Sequence, residues 1–377
     1  PNVSQTILVD QDYTSIHISG KPLDLKSIKI QIDSTITSLV DRINFHTEQP
    51  SAFVVFENPK KNIKIISERE VEITAQLFYA PSLDLENKFS KNKVDNCEKP
   101  TTIPASIWRE GLTKPTPGRN ATVVKHCIIH HTAGSNTNEN FVDVVRNIYL
   151  AHTEGNGWDD IGYNYLVAQD GTIFSGRDAQ GIADEDNIQG AHFCSKNRGT
   201  MGIALLGNFN LTSPNLSQLE ALESILNWKL FKESVDPYDQ YAHPNSLGSD
   251  LGTIGIHKDG CATSCPGDSL ALLIPEIRDN VRTTLLACGL PLKIKTLEAN
   301  KPVSIYPNPS AGNITIRIKN SDMKSYRVVS TFGQILQSGH LKEKTTITID
   351  ESNGIYYLLL EDKSGSFQKH KILIINK

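Results

Sequence analysis

Cys127-Ile128-Ile129-His130-His131-Thr132-Ala133-Gly134 is the stretch from which the fold of this chain is best read. Val123-Val124 leads into it, and a run that is apolar on both faces reads as a strand buried within a sheet. Side chains alternate along a strand, so His130 shares a face with Ile128 and Val124, and His131 with Ile129 and Cys127. The two imidazoles therefore point to opposite faces and do not easily serve one ion. Periodicity alone does not choose between them.

Working outward, Phe141, Val144-Val145, Ile148-Tyr149 and His152 recur at helical spacing after a polar start at Ser135 to Asn138. Gly162 to Val167 reads as a strand, and Gln169-Asp170-Gly171 as a hairpin turn into Thr172-Ile173-Phe174. Met201 to Leu206 is another apolar strand, and Leu216 to Phe231 an amphipathic helix. Thr253 to Ile256 is a last strand. Ser269 to Leu286 is a last helix, in which Pro275 requires a kink or a new start. Strands interleaved with helices place residues 94–290 in the α/β class, a central mixed β-sheet flanked by helices.

After that last strand comes Gly255-Ile256-His257-Lys258-Asp259-Gly260-Cys261-Ala262-Thr263-Ser264-Cys265-Pro266-Gly267. His257 and Cys265 in a loop of small residues are a borderline-soft pair that suits zinc. At least one further ligand must come from elsewhere, and His130 or His131 is the best source. A His, His, Cys set leaves a fourth tetrahedral position for water, whose pKa zinc lowers to about 7. Cys261 has i, i+4 spacing to both His257 and Cys265, but Gly260, Pro266 and Gly267 argue against a helix there. A disulfide is the better reading for it.

The chain has 377 residues, so two or three domains are expected. Residues 1–93 alternate in the β manner (Ile16-Ile18, Ile28-Ile30-Ile32, Ile63-Ile65), with turn clusters at Gly20-Lys21-Pro22 and Asn58-Pro59-Lys60. An N-terminal all-β, sandwich-like domain of unassigned role is expected, its His17 and His46 structural or merely exposed. Residues 291–301 read as a linker, and residues 302–377 as a C-terminal all-β sandwich with turns at Phe332-Gly333 and Ser364-Gly365. A net charge of −4 gives no hint of nucleic-acid binding, and no apolar run approaches the roughly 18 residues that span a membrane. The chain is expected to act as a monomer. Its six cysteines are compatible with an oxidising compartment.

Six blocks in order resemble the peptidoglycan recognition protein family, which is related to the phage-lysozyme type of zinc N-acetylmuramoyl-L-alanine amidase. They are Ile129 to Gly134, Gly157-Trp158-Asp159-Asp160-Ile161-Gly162-Tyr163-Asn164-Tyr165, Asp170-Gly171-Thr172 with Gly176-Arg177, Gly190-Ala191-His192, Met201 to Ala204 with Gly207-Asn208-Phe209, and His257 with Cys265-Pro266-Gly267-Asp268. The resemblance spans about residues 103 to 287. It implies His130, His257 and Cys265 as zinc ligands, and Tyr163 and Thr263 as catalytic residues. It also implies Thr132, His152, Trp158, Arg177 and His192 as the lining of a peptide groove. The implied activity is hydrolysis of the amide between N-acetylmuramic acid and L-alanine of peptidoglycan. The alternative is a peptidoglycan-binding module without turnover, the state of relatives that lack a ligand. Ala204 stands where related recycling amidases carry a glutamate base, so the zinc-bound hydroxide itself is the expected base. Within this frame Cys97 with Cys288 is expected to clasp the domain ends, and Cys194 with Cys261 to brace its rim. The segment from Tyr306-Pro307-Asn308-Pro309 through Gly354-Ile355-Tyr356-Tyr357 to the lysine-rich end resembles the C-terminal sorting domain of the bacterial type IX secretion pathway. That likeness implies a type IX secretion partner and a secreted or cell-surface location; an adhesive or carbohydrate-binding β-domain is the alternative.

Overall fold

A computed structural model describes residues 3–32, 34–39, 43–44, 50–83, 97–245, 250–291, 303–319, 322–330, 335–363 and 367–375. The stretch that decides the fold is strand β1, His126–His131, with all six residues buried. It lies inside a five-stranded sheet with β2 (Tyr165–Val167), β3 (Ile173–Ser175), β4 (Thr200–Leu205) and β5 (Ile254–Ile256), in the order β5-β1-β4-β2-β3. The ladders β5·β1, β1·β4 and β4·β2 are parallel and β2·β3 is an antiparallel hairpin, so the sheet is mixed.

Both faces are covered, which is why β1 and β4 are apolar on both sides. On one face Cys127, Ile129, Ile203 and Leu205 share a core with helices α2 (Leu216–Glu233) and α3 (Asp268–Ala287). On the other, Leu166 and Phe174 pack with Val144, Val145 and Ile148 of helix α1 (Phe141–Leu150). Asn140 caps α1 by accepting the Asp143 amide, and Asn215 forms a reciprocal capping box with Gln218 at the start of α2. Of the kink or new start expected at Pro275, the new start does not occur: helix α3 is continuous through it. Pro275 lies on the exposed face, where water can take up the carbonyl that loses its partner. Only Tyr165–Val167 of the run from Gly162 joins the ladder. Buried Asn164 instead stitches the loops: its Nδ2 donates to the Glu185 and Ile188 carbonyls, and its Oδ1 accepts the Gly202 amide. Disulfides Cys97–Cys288 and Cys194–Cys261 are both formed, leaving Cys127 and Cys265 as free, buried thiols.

The N-terminal region is one antiparallel, six-stranded sheet built on two long strands, Val3–Gly20 and Ser51–Ser67. Asn58-Pro59-Lys60 is not a turn but lies within the second of these. Register shifts around Tyr13 accommodate it, since proline can donate no ladder bond and is tolerated at an irregularity. Residues from both sides of the shifts, Ile16, Ile18 and Val54 with Ile28, Ile30 and Ile63, share one core. His17 is buried and bonds Gln76, while His46 lies outside the described residues.

This sheet belongs to the same compact unit as the α/β domain, Pro1–Leu292. Phe53 and Val55 pack against the core of α1. Thr14 Oγ1 donates to Asn147 Oδ1 at 2.7 Å and accepts the Ala80 amide at 2.9 Å, while buried Arg146 donates to the carbonyls of Pro81, Trp108 and Glu110.

The second unit, Lys293–Lys377, folds as two antiparallel sheets over one core. Val303–Tyr306, Asn313–Ile318 and Lys344–Thr348 form one, and Met323–Ser330, Ile335–His340, Gly354–Asp362 and Phe367–Ile374 the other. Ile314, Ile316, Val328, Leu358 and Ile372 fill the space between them. The expected linker beyond Pro291 and the turns at Phe332-Gly333 and Ser364-Gly365 lie outside the described residues.

Replacing Thr14 by Val leaves the buried Asn147 oxygen and Ala80 amide without their partner. The expected cost is about 1–3 kcal/mol, read as a lower denaturation midpoint of the Pro1–Leu292 unit in the full chain. An unchanged midpoint would show that the two sheets are not energetically joined there.

Candidate metal centre

Strand register delivers the first two donors. Ile256 pairs with Ile129 in the parallel β5·β1 ladder, so the next residues, His257 and His130, stand side by side. Their ring centroids are 4.4 Å apart. The third donor comes from the loop into α3. Cys265 Sγ lies 3.7 Å from His130 Nδ1 and accepts the His131 amide at 3.3 Å. The donor atoms of His130, His257 and Cys265 all lie within 4.8 Å of one another, and all three residues are buried. Thr263 Oγ1 accepts the Cys265 amide at 3.1 Å, which leaves its own proton to donate. Gly267 closes the loop at φ +89°, where a Cβ would stand 2.4 Å from the Phe209 carbonyl carbon, so no other residue fits.

Burial pushes the Cys265 thiol up to about 12, opposed by the His131 amide and the Lys258 charge. A buried thiol between two imidazoles ionises readily only if a cation joins it, and two nitrogens with one sulfur suit zinc. A second cluster, Cys194, His257 and Cys261, offers no thiolate because its cysteines are bonded to each other. His131 is on the opposite face, where its Nδ1 accepts the Phe209 amide at 3.2 Å.

Tyr163, expected to be catalytic, and the five expected groove residues divide into two groups. Tyr163, His152 and Trp158 form a continuous patch beside the donors: Tyr163 lies 5.3 Å from His130 and 5.6 Å from His152, and His152 lies 4.7 Å from Trp158 between ring centroids. A π-helical turn, Ala151–Gly155, extends α1 and carries His152, whose Nδ1 accepts the Gly162 amide. Burial raises the Tyr163 phenol well above its ordinary value, so its hydroxyl stays a donor, and it has no hydrogen-bond partner among the described residues. Thr132 Oγ1 is half-buried and accepts the Gly207 amide at 3.1 Å.

Arg177 and His192 are instead buried. Arg177 Nη2 grips Asp159 at 2.5 and 2.6 Å, and Asp159 also binds Arg119, which reaches the fully buried Asp160 at 2.9 Å. His192 Nδ1 lies 2.9 Å from His130 Nε2. The sequence reading missed Asn164, Asn197 and Thr200, which hold this region together. Nothing in their spacing marks them, since small polar residues in loops and at strand starts are common.

Residues 120–268 match the family described as N-acetylmuramoyl-L-alanine amidase, and residues 304–376 the secretion system C-terminal sorting domain. Peptidoglycan-recognition protein SC2 of Drosophila simulans is 31% identical over 173 residues, 45% of this chain and 82% of that protein. The chain belongs to the peptidoglycan recognition protein family. Among other members, peptidoglycan recognition protein 1 of Bos taurus is 30% identical over 156 residues, 41% of this chain and 72% of that protein. A crystal structure of human PGRP-IβC in complex with glycosamyl muramyl pentapeptide aligns with 29% identity over 46% of this chain and 93% of that one, with a TM-score of 0.37. This family member thus carries an amidase-type domain together with a type IX sorting domain, which marks it for the cell surface or the extracellular space. No helix among the described residues is long and apolar enough to cross a membrane.

Burial lowers the His131 pKa to about 4 and that of His152 to about 3, the Arg177 charge adding to the second. Below about pH 6.5 the unfolded chain takes up protons that these folded imidazoles refuse, so their contribution to stability is complete above that pH and declines below it. The thermal midpoint should fall between pH 6.5 and 4, and His131→Gln should flatten the decline. A midpoint flat across that window would contradict neutral burial.

Proposed function

We propose that the protein is a secreted, zinc-dependent N-acetylmuramoyl-L-alanine amidase that cleaves the amide between N-acetylmuramic acid and L-alanine in peptidoglycan. The observation that carries this reading is the convergence of His130, His257 and Cys265 to within 4.8 Å in a buried site. These three residues would hold the ion and leave a position for water or substrate. A bound zinc supplies Lewis-acid polarisation of a carbonyl and acidifies water.

The remaining chemistry belongs to side chains. Tyr163, kept protonated by burial, donates its hydroxyl hydrogen to the oxyanion developing on the lactyl carbonyl. Thr263 keeps Cys265 in place through the Cys265 amide and has one hydrogen left for the same oxygen or for the departing amine of the stem peptide. His152 and Trp158 offer a half-buried aromatic wall against which the peptide lies. Strand β4 (Thr-Met-Gly-Ile-Ala-Leu) carries no carboxylate, so no side chain of that strand takes a proton from the attacking water.

Incubating the full chain with peptidoglycan should release stem peptides with a free L-alanine amino terminus, detected by mass spectrometry, and metal analysis should find zinc. Cys265→Ala should lose both zinc and turnover while glycan-peptide binding stays measurable. Tyr163→Phe should keep zinc and lower kcat about 10²–10³-fold, the usual loss for one oxyanion donor. Zinc and binding without any released peptide would make the protein a recognition module instead.

A further inference from the structure

His192 adjoins the candidate metal centre through His130, and its hydrogen bonds have a determined direction. Thr200 Oγ1 lies 2.8 Å from the Asn197 carbonyl oxygen and 3.3 Å from His192 Nε2. A carbonyl only accepts, so the single hydroxyl proton of Thr200 goes to Asn197 at the shorter distance. His192 Nε2 must then carry the hydrogen that it shares with Thr200. In the neutral ring that leaves Nδ1 as an acceptor, and Nδ1 faces His130 Nε2 at 2.9 Å. His130 therefore carries its hydrogen on Nε2. Its Nδ1, 3.7 Å from Cys265 Sγ, is then the unprotonated nitrogen, on the side of the other donors.

The ring has little room to turn out of this chain. A Cβ on Gly190 or on Gly202 would stand 2.6 Å from His192 Cδ2, so both glycine backbones press directly on the imidazole. Asn197 Oδ1 accepts the amides of His192 and Phe193, both at 2.8 Å, which fixes the backbone that carries the ring. His192 and Thr200 are buried, at 7% and 0% exposure, so solvent does not compete for these bonds.

We propose that His192 is a positioning residue, which with Thr200 and Asn197 locks His130 in the tautomer that presents Nδ1 to a zinc ion. This rests on the zinc amidase reading above. It assigns to His192 a role through His130 rather than contact with the stem peptide. A hydrogen-bonding partner behind a ligating imidazole typically changes metal affinity 10–100-fold when lost.

The test is zinc affinity of the full chain, measured by competition with a chromogenic chelator, with circular dichroism confirming the fold. His192→Phe removes the acceptor and should weaken zinc binding about 10–100-fold. His192→Gln, whose amide oxygen can accept from His130, should stay within a factor of a few of the parent. Thr200→Val, which keeps the size of the side chain, should weaken binding in the same direction by less, and it serves if His192→Phe does not fold. Unchanged affinity in folded His192→Phe, or in Thr200→Val where it stands in, would overturn the assignment and leave the amidase reading intact. A parent chain that binds no zinc would overturn both. A parent that binds zinc but releases no peptide would remove the amidase reading alone.

Discussion

The parallel pairing of Ile254–Ile256 with Cys127–Ile129 is the constraint on which the metal centre depends. A slip of one residue would turn His257 to the other face of the sheet, because side chains alternate. The register is held by burial on both faces. Cys127, Ile129, Ile254 and Ile256 enter the core with α2 and α3, while Ile128 packs with Phe193 and Leu251 on the side of the site. Cys265 arrives by a different route, through a loop whose geometry depends on Gly267 and on the bond between its sulfur and the His131 amide.

Around this centre several buried charged side chains are paired. Arg119 with Asp160, Arg177 with Asp159, and Lys229 with Asp186 are ion pairs with at least one partner almost fully buried. Pairs of this kind contribute little net stability, because desolvation offsets most of the attraction, but removing one partner strands a buried charge. Their effect here is geometric. Asp159 and Asp160 follow Trp158 directly, so tying both carboxylates to arginines fixes the segment that carries the aromatic wall. Asn164 does the same for Tyr163 by satisfying three backbone groups from one amide.

The N-terminal sheet is part of this arrangement. Its contacts reach α1 through Thr14 and Asn147, and His17 lies against Gly155 in the π-helical turn that carries His152. A Cβ at Gly155 would sit 3.3 Å from the His17 ring, so the two regions are packed without slack at the edge of the candidate groove. The N-terminal sheet thus packs against the edge of the α/β domain that carries His152.

Much of this was legible in advance. Apolar runs and helical spacing determined the order of strands and helices in the α/β domain, and alternation along Cys127 to His131 separated His130 from His131. Six ordered blocks pointed to the family, and the expected pairings Cys97–Cys288 and Cys194–Cys261 are the two disulfides formed. Other features depended on contacts between segments far apart in the chain, which no local pattern encodes. Asn58-Pro59-Lys60 looks like a turn until the partner strand shifts register around it, and Pro275 allows a new helix start until α3 is seen to be continuous. Arg177 and His192 carry polar side chains that suit a groove, but only the folded neighbours show both to be buried, one held by Asp159 and the other by His130. The sequence by itself determined which residues possess the chemistry of the site. The tertiary structure decided which atoms of those residues meet, because burial and hydrogen-bond direction are properties of the packed sheet and its loops and not of any segment alone.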